Sequence, residues 1–534
     1  MSAFSENLRF SREDLDFGWS IRSLLQPQSL TLAVEFPDDL PEKLGEELRR
    51  LEQLFTVDTA MLKKITDRFG EELQAGMEGK GDIPMNITWV TSSPTGHETG
   101  TYLTIDLGGT NLRVCLITLT DEMGGHSTTQ EKYTLPKDIK TGTADQLFDH
   151  IADHLSEFLT EHVKGNEGAC DDGKIPLGFT FSYPATQERI DHGILQTWTK
   201  GWDVKDVEGH DVTEMLNRAM EKRNLPVKLI ALINDTTGAL IASAYNDPDT
   251  VIGAIFGTGC NAAYMDRVSQ IPKMASQKTD PKTSPNEDSL MAINCEYGAF
   301  DNSHTVLPRT RYDELIDEQS PRPGEQTFEK MSAGLYLGEL FRQILLELLA
   351  KGVIFQDWSK SDSSDSDANK QNQTGTQSQK DALSTPYAID TEFLSTVEND
   401  ATPSLEEAKS AFQRVLAGLS PSDAELRFFR AVAKLIAIRG ARLCACGASA
   451  ICRRIGRRKG HVAADGSVAV KHPRFKERWE CAVREILDMK MGGFGREGEG
   501  IELTSAEDGS GVGAAVICAL AMGRTREETG TAEK

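Results

Sequence analysis

"YLTIDLGGTNLRVCLI" (Tyr102–Ile117) runs an apolar strand into a tight glycine turn with a threonine and an asparagine, and out into a second apolar strand. The same design returns in "VIGAIFGTGCNAAYM" (Val251–Met265). Glycines clear such a turn of side chains, so backbone amides can approach phosphate oxygens, and the threonine adds a hydroxyl. A P-loop needs strand, loop and helix with G-x-x-x-x-G-K-[ST], and that motif is absent. Either turn alone could be an ordinary hairpin. Taken as a pair, they predict an α/β protein with two related halves facing each other across a cleft.

Between the two hairpins, "VKLIALI" (Val227–Ile233) reads as a buried strand that ends on Asn234 and Asp235. A carboxylate at the mouth of a buried strand is costly unless something there needs it. Apolar spacing predicts helices over 144–162, 210–223, 326–350, 421–455 and 474–489, and a strand over 176–183. Two helices are expected between 40 and 79, broken at "TVD", where Thr56 or Asp58 can cap the second. Residues 1–40 have no sustained periodicity and read as a disordered extension. Residues 359–382 contain no aliphatic or aromatic side chain except alanine, so they are expected to form a disordered polar insertion. The domain boundaries expected are 41–98 for helices packing with the large domain, 99–234 with 508–534 for the small domain, and 235–507 for the large one.

The chain has 534 residues and a formal net charge of −24, which argues against binding a nucleic-acid backbone. Small phosphate ligands remain open, because local amides hold them. No run of about 18 apolar residues occurs and the N-terminus has no secretory pattern, so no membrane span is expected. The nine cysteines lack paired zinc-ligand spacings and read as buried free thiols, which implies a reducing, cytoplasmic compartment. The basic run Cys452–His461 reads as a solvated loop.

Phosphoryl transfer needs a seat for phosphates, a place for Mg²⁺, a base beside the acceptor and groups that orient it. A sugar acceptor calls for asparagines and carboxylates at strand ends, since each hydroxyl both donates and accepts. Candidates of that kind are Ser182, Thr199, Lys200, Asn234, Asp235, Asn261, Glu296 and Glu329. Gln326 could orient Glu329 or simply lie on a helix surface.

The segments "LGFTFSYPATQERIDHGILQTWTKGWDV", "LINDTTGALIAS", "IFGTGCNAAYM", "MAINCEYGAFDN", "RPGEQTFEKMSAGLYLGELFR" and "AEDGSGVGAAVICAL" resemble the eukaryotic hexokinases, the fungal hexokinases and glucokinases most of all. The resemblance runs in order from about residue 40 to 523. It implies the actin-like ATPase (ribonuclease H-like) fold, with two α/β domains closing around a deep cleft. It also implies ATP-dependent phosphorylation of the 6-hydroxyl of glucose, fructose or mannose, the first step of glycolysis. By the same resemblance Asp235 is the catalytic base and Lys200 supports the transferred phosphoryl group. Ser182, Thr199, Lys200, Asn234, Asn261, Glu296 and Glu329 hold the sugar. Asp106, Gly108, Gly109, Thr110, Asn111 and Arg113 form the first phosphate turn, and Thr258 and Gly259 the second. Gly447 and Asp508, Gly509, Ser510 and Gly511 match segments around the nucleotide. ATP and Mg²⁺ are the cofactors implied, the metal arriving with ATP near Asp106 rather than in a cage of protein ligands. The expected assembly is a monomer or homodimer. Around Asp235 many members have Val and Thr where this chain has Thr237 and Ala239. A sugar sensor without catalysis, an N-acetylglucosamine kinase and an actin- or chaperone-like ATPase are the competing readings; the sugar-reading Asn and Glu set argues against the last.

Overall fold

The computed structural model describes residues 37, 39–109, 111–136, 138–163, 170, 172–198, 202–276, 285–355, 383–489 and 500–529. Most of the expected N-terminal extension, the 359–382 insertion, and Thr110, Thr199 and Lys200 lie outside these residues.

Helices α1 (Glu42–Phe55) and α2 (Thr59–Met77) open the described chain, with Asp58 capping α2 through Met61 N at 2.8 Å. The strands that follow are β1 (Asn86–Ile87), β2 (Gly100–Leu107), β3 (Asn111–Leu119), β4 (His126–Thr134), β5 (Ile175–Phe181), β6 (Ala185–Thr186), β7 (Ile194–Leu195) and β8 (Val227–Ile233). Helices α3 (Ala144–His162) and α4 (Val212–Lys222) interrupt them, and α5 (Asp235–Asn246) follows β8. Then come β9 (Thr250–Phe256), β10 (Cys260–Arg267) and β11 (Leu290–Asn294). A helical lobe comprises α6 (Arg311–Gln319), α7 (Thr327–Ser332), α8 (Gly334–Ala350), α9 (Thr391–Asn399), α10 (Glu406–Val415) and α11 (Asp423–Arg454). The chain continues through β12 (Gly460–Asp465), α12 (Ser467–Lys471), α13 (Phe475–Ile486) and β13 (Ile501–Ser505). A π-helical turn, Gly509–Gly513, leads into α14 (Ala514–Thr529).

The duplication visible in the two hairpins extends to whole sheets. One sheet has the order β4-β3-β2-β5-β8, antiparallel across β4, β3 and β2 and parallel across β2, β5 and β8. The other has the order β11-β10-β9-β12-β13 with the same alternation, and β1 added at its edge. Both glycine turns close β-hairpins, with Asp106 opposite Arg113 in one and Phe256 opposite Cys260 in the other. β4 is mostly polar and lies at a sheet edge, where one solvated face needs no apolar pattern.

Helix α5 joins the halves. The Cβ that Gly253 lacks would lie 2.4 Å from Leu240 N, so α5 rests directly on β9. On its other side the Cβ missing from Gly238 would lie 2.3 Å from Gly509 O, in the π turn. Helix α14 lies against the first sheet, with Ala514 O 3.0 Å from the Cβ position of Gly178. Helix α2 packs with the second sheet around Phe69, which stacks on Phe300 at 3.8 Å between ring centroids.

Helix α11 starts at a capping box of Ser422 with Glu425, worth about 1 kcal/mol. Among the described residues it is the one helix long and apolar enough to cross a membrane, but 94% of its apolar window is buried inside the protein. It is a core helix. Its last turn includes Arg453 and Arg454, which bind Asp67 and Asp266, so the basic run expected as a loop from Cys452 is helical until Arg454. The single helix expected over 326–350 is broken at Ala333, whose extended backbone lets Gly334 N donate to Gly257 O at 2.7 Å. All nine cysteines are buried and unbridged.

Candidate active site

Asp235 is the first residue of α5, placed there because β8 ends and its neighbour Asn234 caps the helix by accepting from Thr236 N at 2.9 Å. The Asp235 carboxylate also accepts from Thr236 N (2.8 Å) and from the Thr236 hydroxyl (3.2 Å). It sits half-buried at a helix N-terminus, where the backbone dipole favours negative charge.

Opposite stands a network of amides and a carboxylate on the ends of β10 and β11. Asn261 Nδ2 lies 3.0 Å from Thr236 Oγ1, 2.8 Å from Asn294 Oδ1 and 3.2 Å from Glu296 Oε1. Its Oδ1 accepts from Glu296 N at 2.8 Å, which fixes Glu296 in a left-handed backbone conformation (φ 56°). Asn294 Nδ2 donates to Glu296 Oε1 at 2.8 Å, and Asn234 Nδ2 approaches the same oxygen at 3.5 Å. Glu329, on α7, accepts from Cys260 N at 3.1 Å and lies against the second glycine turn. The Cβ that Gly259 lacks would be 2.6 Å from Glu329 Oε2, so the turn needs glycine there for Glu329 to reach it. Gln326 packs over Gly298 beside the Glu329 stem. Ser182 is buried just past the end of β5. A slot bounded by Asn86, Thr88, Tyr183, Gln187, Asn234 and Asn294 runs between the two sheets.

At the first glycine turn, Gly108 N closes the hairpin onto Asn111 O at 3.1 Å, and the space where Gly109 would carry a Cβ is open. Trp202 Nε1 donates to Gly109 O at 3.3 Å. Arg113, expected beside phosphate, has a protein partner: its guanidinium makes two bonds to Asp508 (2.8 and 2.5 Å) and one to Ser510 Oγ (2.7 Å). Burial would raise the Asp508 carboxyl, but Arg113 holds it below the usual carboxylate range. Asp508 to Gly511 thus form a clamped joint against α5, with Gly511 N also donating to Asp508 at 3.0 Å. Asp106 lies 3.7 Å from Arg113, and burial pushes its carboxyl up, aided by Asp235 and Asp508. Asp106 and Asp508 share the one Arg113 guanidinium, with the Asp235 carboxylate acting on Asp106 from nearby, an oxygen-rich acidic corner that suits a divalent cation, since Mg²⁺ takes oxygen ligands. Asp106 therefore fits the position near the metal that its sequence match implies.

Beside Thr258 of the second turn a cavity of about 310 Å³ opens between α8, α9 and α12, with Leu335, Thr391, Ser395, Lys471 and His472 on its walls. Apart from Thr258, none of these residues was expected from sequence. They come from segments far apart in the chain, and Leu335 alone lies inside one of the segments that carry the resemblance. Asn294 and Thr236 were missed too, although both lie inside recognisable segments. Gly447, matched by resemblance to a segment around the nucleotide, lies in the last third of α11 with its Cβ position 3.1 Å from Tyr297 and 3.3 Å from Phe69, so its smallness lets these rings pack against the helix.

Two sheets of one topology, each with a glycine hairpin, around a cluster of Asn, Asp and Glu define a two-domain phosphotransferase of the actin-like ATPase fold. Family models described as hexokinase match residues 47–245 and 251–520. The chain is 49% identical over 491 residues to a hexokinase of Emericella nidulans (91% of this chain, 93% of that one). It is 46% identical to hexokinase-1 of Saccharomyces cerevisiae (92% and 95%). A solved hexokinase from Schistosoma mansoni complexed with glucose superposes with a TM-score of 0.73 at 33% identity, covering 91% of this chain and all of the other. The chain belongs to the hexokinase family.

Proposed function

We propose that this protein transfers the γ-phosphoryl group of ATP to the 6-hydroxyl of D-glucose and related hexoses. The observation that carries the proposal is Asp235 at the head of α5, facing the Asn261–Asn294–Glu296 network between two glycine hairpins. Asp235 takes the proton of the 6-hydroxyl as that oxygen attacks the γ-phosphorus. Asn234, Asn261, Glu296 and Glu329 read the sugar hydroxyls, with Ser182, Thr199 and Lys200 on the small-domain side. The hydrogen bonds that Asn261 and Asn294 make to Glu296 set its carboxylate before sugar arrives, which lowers the entropy cost of binding.

The two turns, at Gly108–Asn111 and Thr258–Gly259, hold the phosphates through backbone amides, and the cavity beside Thr258 seats the nucleoside end of ATP. Mg²⁺ bound with ATP neutralises phosphate charge, with Asp106 as the carboxylate that would hold it. Lys200 supports charge on the transferred group. Nine buried free thiols support a reducing, cytoplasmic setting.

The test is incubation with MgATP and glucose, fructose, mannose or N-acetylglucosamine, measuring ADP and sugar phosphate together. Equimolar formation of both with glucose supports the proposal. Glucose binding without sugar phosphate would replace it with the sensor reading, and a preference for N-acetylglucosamine would move it to the amino-sugar kinases.

A further inference from the structure

The residues expected to hold the sugar come from both domains, and a large-domain side chain with no assigned role ties their two loops together. Arg322 lies in the loop between α6 and α7, seven residues before Glu329. One of its terminal nitrogens donates to Thr197 Oγ1 at 2.8 Å and to the Trp198 carbonyl at 3.1 Å, both in the small domain. Thr197 and Trp198 lead directly into Thr199 and Lys200.

Both ends of this bridge are braced. On the large-domain side the buried Lys330 ammonium donates to the Arg322 carbonyl (2.7 Å) and to Asp317 (2.6 Å), and Asp317 also accepts from Gly324 N (3.0 Å). On the small-domain side Glu208 accepts from the Thr197 hydroxyl (3.1 Å) and from Trp198 N (2.5 Å), and the Trp198 ring stacks on Trp202 at 5.4 Å. Thr197 therefore uses its one hydroxyl proton on Glu208 and accepts from Arg322. A second cross-domain bond, Gln196 Nε2 to Asn86 Oδ1 at 3.1 Å, holds the preceding residue. Three consecutive small-domain residues are bonded to the large domain by two separate side chains.

We propose that Arg322 is a positioning residue for the sugar: it straps Thr197 and Trp198 to the loop that leads into Glu329, so the two sugar-holding segments are held in register by a bond that sugar need not supply. This rests on the proposed phosphoryl transfer. An exposed arginine with no such role would leave kinetics untouched when removed, since surface substitutions are normally near neutral.

The experiment compares wild type, Arg322→Ala and Arg322→Lys by steady-state kinetics in glucose and in ATP, and by the rise in melting temperature that glucose causes. Arg322→Ala is expected to raise the glucose KM about fivefold to tenfold, as two partly exposed charge-assisted hydrogen bonds warrant. Its kcat and ATP KM stay within about twofold, its sugar-free melting temperature falls by no more than about 2 °C, and its glucose-induced stabilisation shrinks. Arg322→Lys, which keeps one donor in reach, falls between. Unchanged glucose KM in Arg322→Ala, or a fall in kcat with KM intact, overturns the strap. A wild-type enzyme that makes no sugar phosphate would instead overturn the phosphoryl transfer on which the strap rests, and the two failures are distinct.

Discussion

Glu398, near the end of α9, is buried (5% exposed) and faces the fully buried Arg478 guanidinium on α13 and the imidazole of His472, which lines the cavity beside Thr258. Arg478 binds both Glu398 oxygens, and His472 Nε2 lies 3.1 Å from one of them. Burial alone would raise the Glu398 carboxyl, but its bonds to His472 and Arg478 bring it down to about 2 from an ordinary 4.5. A folded-state value below the unfolded one means stability that is complete above about pH 5 and is lost as pH falls toward 2. The full difference corresponds to about 3 kcal/mol, of which roughly a quarter is already gone at pH 4. Glu398→Gln keeps the shape, removes the charge and leaves Arg478 buried without a counter-ion, a change that costs roughly 3 kcal/mol. Urea unfolding of both proteins at pH 7 and pH 4 is the assay. The gap between them is expected to be about 3 kcal/mol at pH 7 and to narrow by roughly a quarter at pH 4. A gap below about 1 kcal/mol at pH 7, or one that does not narrow in acid, refutes the reasoning.

Three glycine and asparagine positions separate positioning from folding. Asn294→Ala removes a donor to Glu296 and an acceptor from Asn261, so glucose KM should rise about tenfold with a smaller change in kcat. Gly259→Ala meets only the movable end of the Glu329 side chain; glucose affinity should fall while the melting temperature stays within about 2 °C, and an unfolded variant would contradict this. Gly238→Ala meets the Gly509 carbonyl, which is backbone and cannot turn away. It should destabilise by about 2 kcal/mol or more in thermal unfolding, with activity falling as α5 shifts.

These contrasts also mark what the sequence makes legible. Both hairpins and the Asn234–Asp235 strand end are local, so pattern and turn chemistry place them within a residue or two. Asn294 and Thr236 act through a network assembled from three segments, and nothing in either one's immediate sequence marks it as a partner of Asn261. The cavity beside Thr258 is harder still, because its walls arrive from α8, α9 and α12. Gly447 reads as functional by resemblance, yet its surroundings are two aromatic rings that only packing reveals. The break at Ala333 is fixed by the bond from Gly334 N to Gly257 O, 77 residues earlier; Ser332 and Gly334 mark it locally, but within an apolar run of helical spacing that signal alone does not end a helix.

The central claim is that Asp235 acts as a base and not simply as a cap for α5. Equilibrium glucose binding and steady-state turnover of Asp235→Ala test it most directly. The account predicts kcat lowered by about two orders of magnitude or more, with glucose affinity changed far less. Turnover close to that of the wild type would contradict it.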